Sequence, residues 1–99
     1  MITLHLSDLK ALQASKTWKR FYFLSENQPG YACADPLKAG LAFYSMAVVT
    51  TPPTAIYFGE KGNRLWLDFV TAVDCEPHVL GDLLTIHCKG GKEYVIVAQ

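Results

Sequence analysis

Residues 83–98 read LLTIHCKGGKEYVIVA, two six-residue runs rich in apolar and β-branched residues on either side of a glycine pair. Glycines between two such runs are a strong local signal for a β-hairpin. A two-residue loop at Gly90-Gly91 sets Cys88 opposite Glu93, Ile86 opposite Val95 and Leu84 opposite Val97. Leu84, Ile86, Val95 and Val97 then form one apolar face directed at a core. The opposite face carries Thr85, His87, Tyr94 and Ile96, which is more apolar than a solvated face, so this hairpin calls for cover on both sides. A chain holding such an element is committed to a layered or curled antiparallel sheet.

The rest of the sequence supplies partners for it. AIYFGEKGNRLWLDFVTAVDC reads as a second hairpin with its turn at Glu60 to Asn63. In its long second arm Leu65, Leu67, Phe69 and Val73 share the core face, and Trp66, Asp68, Val70 and Asp74 share the other. WKRFYFLS suits a strand with Phe21 and Phe23 on one face and Trp18, Tyr22 and Leu24 on the other. LAFYSMAVVTT could prolong a helical turn begun at Asp35-Pro36, but Val48, Val49, Thr50 and Thr51 favour extended backbone, and a strand is expected there. ENQPGYACADPLKAG reads as a loop. Near the N-terminus, SDLKALQAS offers Ser7 as N-cap and Asp8 in the first turn, with Leu6, Leu9 and Leu12 at three-residue spacing, and predicts a short amphipathic helix.

At 99 residues these elements fit one domain, residues 1–99, with a core large enough to need no disulfide. The expected fold is α+β and mostly β: a short N-terminal helix packed on a five- or six-stranded antiparallel sheet curled into a roll or small barrel. The stretch LWLDFVTAVDCEPHVLGDLLTIHCKGGKEYVIV, about a third of the chain, is similar to strand stretches of pleckstrin-homology-like bacterial domains. That resemblance implies a related roll lacking the closing C-terminal helix, because the chain ends in its last strand; it implies no ligand.

Residues 73–88, VDCEPHVLGDLLTIHC, place two cysteines and two histidines close together, and Cys75 and His78 have the C-x-x-H spacing of half a zinc site. Strand alternation opposes a complete site, since His87 and Cys88 are adjacent and point to opposite faces. No metal and no other cofactor is expected, and Cys75 and Cys88 read as small buried apolar residues. The sequence has no nucleophile elbow, no phosphate-cradling glycine loop and no H-E-x-x-H pair, so catalysis is not expected. An enzyme using Cys33 in the YACAD loop ranks third among the readings.

KTWKRFYF interleaves cations with aromatics in the manner of single-stranded nucleic acid binders, making Lys16, Trp18, Lys19 and Arg20 the contact residues of an alternative reading. Nine basic and nine acidic residues cancel, which removes any global attraction to nucleic acid or an anionic membrane and leaves that reading second. The charges are unevenly spread, with a basic segment at 10–20 and an acidic one at 68–82 that can pair within the fold or across two copies. The uncharged stretch from Ala39 to Gly59 is interrupted by TTPPT, and its apolar run is far shorter than the roughly 20 residues of a membrane-spanning helix. An odd number of cysteines and an N-terminus without signal-peptide features point to the cytoplasm.

Hydrophobic residues make up 51% of the chain and charged residues 18%, which leaves apolar surface over for a partner. The favoured expectation is a non-catalytic protein-interaction module, self-associating as a homodimer or binding another protein, with Trp66, Tyr94 and Ile96 at the interface.

Overall fold

Two corners organise the chain, one at Tyr44 and one at Phe69. A computed structural model describes residues 2–27, 41–51, 54–60 and 63–99, and in it the elements follow as β1 (Ile2–Leu4), α1 (Leu6–Ser15), β2 (Phe21–Asn27), β3 (Leu41–Phe43), β4 (Ser45–Val49), β5 (Ala55–Glu60), β6 (Asn63–Asp68), β7 (Val70–His78), β8 (Gly81–Cys88) and β9 (Glu93–Ala98). Strands in the order β1-β7-β8-β9-β2-β3 form a six-stranded sheet, and β4-β5-β6 form a second, three-stranded one. All pairings are antiparallel. The α+β, mostly β architecture with a short N-terminal helix on a six-stranded sheet is the expected one; the three-stranded sheet is an addition to it, and the two sheets are not closed into a barrel.

At each corner one extended pass changes sheet, the arrangement by which packed sheets share strands. β3 pairs with β2 and, one residue later, β4 pairs with β5; β6 pairs with β5 and, one residue later, β7 pairs with β8. The LAFYSMAVV stretch is therefore extended, as expected, but bent at Tyr44.

The second corner corrects the long-arm expectation. Phe69 has φ 56, a left-handed backbone rarely adopted by a bulky residue, and its side chain is 55% exposed. Leu67 points inward, Phe69 outward and Val70 inward, so the alternation flips phase and Val70 replaces Phe69 in the core. The corner is pinned by backbone hydrogen bonds from Val70 N–H to Thr54 O (3.3 Å) and from Lys89 N–H to Phe69 O (2.9 Å). A bulge between Val70 and Ala72 then brings Val73 and Cys75 inward as well.

The C-terminal hairpin is one residue out of the expected register. Leu84 pairs with Ile96, Ile86 with Tyr94 and His87 with Glu93, around a three-residue connection of Lys89 to Gly91 closed by Cys88 N–H to Lys92 O at 2.8 Å. Gly90 and Gly91 have φ 87 and 80, conformations for which glycine is suited. A one-residue slip exchanges the faces of a strand. Ile96 and Ala98 therefore join Leu84, Ile86 and Cys88 in the main core, while Val95 and Val97 move to the outer face.

The main core is filled from both sheets and the helix: Phe21 and Phe43 from the larger sheet meet Phe58 of β5, with ring centroids 5.4 and 6.2 Å from it. α1 begins at Leu6 with His5 as N-cap, ahead of the expected Ser7, and Asp8 Oδ2 accepts the His5 N–H at 3.3 Å. Starting there buries Leu6 and Leu9, and Gln13 Nε2 donates to Met46 O (2.8 Å), tying the helix to β4. The unanticipated strand β1 adds to the free side of β7. Residues 28–40, with Cys33 and most of the expected loop, lie outside the described residues.

Candidate interaction surface

Successive side chains of β5 and β6 turn to opposite faces of the small sheet, one directed at the core and the other carrying the exposed Arg64, Trp66 and Asp68 beside the buried Ala55 and Gly59. Ile56, Phe58 and Leu67 are buried on the inner face. On the outer face the register aligns Ala47, Tyr57 and Trp66 in one row across β4, β5 and β6, with Ser45, Gly59 and Arg64 on one side and Val49, Ala55 and Asp68 on the other. The Tyr57 and Trp66 rings lie 5.9 Å apart at 53°. Trp66 is 49% exposed, Ala47, Arg64 and Asp68 are exposed, and the indole N–H donates to Asp68 Oδ1. The Tyr57 ring folds back over Gly59, where a Cβ would collide with it. An aromatic pair on a sheet face, edged by one cation and one anion, is a surface suited to packing against another protein.

Of the three residues expected at an interface, only Trp66 is on this surface. Ile96 is 0% exposed, and Tyr94 is half-buried against the main core, its ring 6.2 Å from Phe23. Both are turned inward by the β8–β9 register. Tyr57 was not anticipated, although the Glu60–Asn63 turn already implies that it faces Trp66.

The outer face of the larger sheet is divided. At one end Leu24, Val95 and Val97 are buried, with Tyr22, Leu80 and Leu83 packed against them. At the other, Thr3 Oγ1 donates to Asp74 Oδ1 (2.6 Å), His87 Nε2 lies 2.7 Å from Asp74 Oδ2 and His87 Nδ1 lies 3.1 Å from Glu93 Oε1. The Thr3 hydrogen bond, followed by that of His87, holds the Asp74 carboxyl below its ordinary value.

The basic segment is bound into the fold by its acidic counterpart. Lys16 Nζ lies 3.5 Å from Asp82 Oδ2, and Trp18 Nε1 donates to the same oxygen at 2.9 Å while the ring meets Phe21 edge-on. Lys19 and Arg20 N–H groups both donate to Gln99 O, at 2.8 and 3.1 Å. The Arg20 guanidinium donates to Tyr22 Oη at 2.9 Å and lies 5.0 Å from the Tyr44 ring centre. Trp18 is thus half-buried against the protein, and Lys16, though paired with Asp82, remains exposed like Lys19 and Arg20.

Cys75 and Cys88 are free and buried, and burial pushes both thiols up. Among the described residues no group of three or more His, Cys, Asp or Glu side chains is arranged to hold a metal ion. None of their helices is long and apolar enough to cross a membrane. Comparison of the chain with protein-family models, curated proteins and solved structures gives no match.

Proposed function

We propose that the chain is a non-catalytic, cytoplasmic protein-interaction module that self-associates through the outer face of its three-stranded sheet. The observation that carries this reading is Trp66: a large ring held against Tyr57 yet 49% exposed, on a strand that pairs with β5 alone among the described residues. Rigid, partly solvated aromatics of this kind form the centres of protein contacts. The second apolar face, by contrast, is already buried around Val97. Raised thiol values at Cys75 and Cys88 weigh against nucleophilic use of either, and two free buried thiols suit a reducing compartment.

Sedimentation velocity across a concentration series tests the reading. We expect a mass above the 11.0 kDa monomer at micromolar concentration and above, lost in Trp66→Ser with an unchanged far-ultraviolet spectrum. A monomer at every concentration, or a dimer indifferent to Trp66→Ser, overturns it.

A further inference from the structure

We infer that two copies of the chain join β6 to β6, antiparallel, about a two-fold axis passing through Trp66, so that their three-stranded sheets continue into one sheet of six. This inference rests on the self-association proposed above and moves its contact from the outer face to the β6 edge that borders that face, where Trp66 still lies at the centre. β6 is an edge strand of its sheet, and every second residue of such a strand turns its amide and carbonyl to the unpaired side. Exposed edges invite pairing, and a strand that pairs with its own copy does so isologously, each residue meeting the position reflected through the axis.

The sequence of β6 is self-complementary under that operation. Residues 64–68 read Arg-Leu-Trp-Leu-Asp: reversed, the leucines exchange places, the tryptophan stays and the cation meets the anion. Centred on Trp66, the pairing sets Trp66 opposite its own copy, Leu65 opposite the second copy's Leu67, and each Arg64 opposite the other copy's Asp68. Arg64, Trp66 and Asp68 all lie on the outer face, so the two ion pairs flank the tryptophan pair on one side of the sheet. Leu65 and Leu67 line the inner face, where Leu67 is buried and Leu65 only half-buried, and the second copy supplies cover for Leu65. A centre at Leu65 or Leu67 forfeits both ion pairs. A centre between two residues sets an outward side chain opposite an inward one, which alternation opposes. One register is therefore selected.

The charges support this use. Arg64 is exposed and forms no ion pair among the described residues, while Asp68 gives only Oδ1 to the Trp66 indole. Charged side chains on an edge ordinarily repel neighbouring strands. Here opposite signs at symmetric positions repel other registers and admit this one, a contribution to specificity more than to affinity.

Charge exchange tests the register. Arg64→Asp alone sets two like-charged pairs across the axis, and so does Asp68→Arg alone; each is expected to weaken the homodimer roughly tenfold or more. Mixed together, the two variants regain both opposite-charge pairs and form a heterodimer tighter than either homodimer, and the double variant Arg64→Asp/Asp68→Arg recovers wild-type self-association. Sedimentation equilibrium with one variant fluorescently labelled reads all four species, with circular dichroism confirming that each is folded. Self-association that depends on Trp66 yet shows no gain in the mixture overturns the β6 register and leaves the aromatic-face reading standing. A wild-type chain that stays monomeric removes both.

Discussion

Leu84 on β8 stands directly opposite Ile96 on β9, and both side chains are fully buried. This pair decides which half of the C-terminal strand belongs to the core. It also keeps Ile96 in the interior, apart from Trp66 on the outer face of the small sheet.

The first prediction follows from that separation. Removing most of the Ile96 side chain leaves a cavity at the centre of the larger sheet, and Ile96→Ala is expected to cost about 2–5 kcal/mol, a large share of the ~5–15 kcal/mol that stabilises a domain. Trp66→Ser, at an exposed site, is expected to shift the urea midpoint only slightly. Equal destabilisation by the two changes would contradict the observed burial.

Phe69 makes the opposite kind of site. Its left-handed backbone costs a non-glycine residue about 1–2 kcal/mol, and its ring, over the Lys89 ammonium at 5.8 Å, is more than half solvated. Phe69→Asn, better suited to that conformation, is expected to match or exceed wild-type stability, and Phe69→Val to fall below it by about 1 kcal/mol. Chemical denaturation ranks the three; a valine variant as stable as the asparagine one would refute the corner geometry.

Asp74 gives the fold an acid-sensitive bond. Because its folded pKa lies below the unfolded value, its contribution is present above about pH 4 and is lost as pH falls through the depressed folded value. Thr3→Val removes the larger cause of that depression, so the carboxyl should titrate at higher pH and the contribution should shrink. Carbon NMR of the Asp74 carboxyl measures this directly, and an unchanged titration would show that the Thr3 hydroxyl does not hold it.

The thiols report on burial from within. In a Cys33→Ser background, Cys75 and Cys88 are expected to react with an aromatic disulfide far more slowly in the native protein than in 6 M guanidinium. Rapid native labelling of either would mean that its strand opens readily.

Much of this fold is legible in the sequence, and what is not has identifiable causes. The Glu60–Asn63 turn and the inward Leu67 follow from alternation between clear turn residues. The C-terminal register does not, since Val95, Ile96 and Val97 make either face apolar and Gly90-Gly91 accommodates a loop of two residues or three. The corner at Phe69 is silent because the left-handed position holds no glycine or asparagine to mark it. Trp66 stands out by size and alternation, and counting back through the turn finds Tyr57. That the basic and acidic segments can pair is legible from their charges, but the particular partner is not: Lys16 and Trp18 both meet Asp82, 64 positions beyond Trp18, through tertiary packing alone.

The two corners also bear on how the chain reaches its native state. Five of the seven ladders among the described residues, β2–β3, β4–β5, β5–β6, β7–β8 and β8–β9, join strands consecutive in the chain and can zip in succession. The other two join distant parts of the chain, with a correspondingly larger loop-closure entropy, and of these the ladder between residues 21–27 and 93–98 is longer than that between 2–4 and 73–75. The longer ladder is the seam of the molecule and is expected to form last. Val97→Ala, on the seam, should speed unfolding and leave the folding rate nearly unchanged, and a matching loss in the folding rate would place the seam in the nucleus instead.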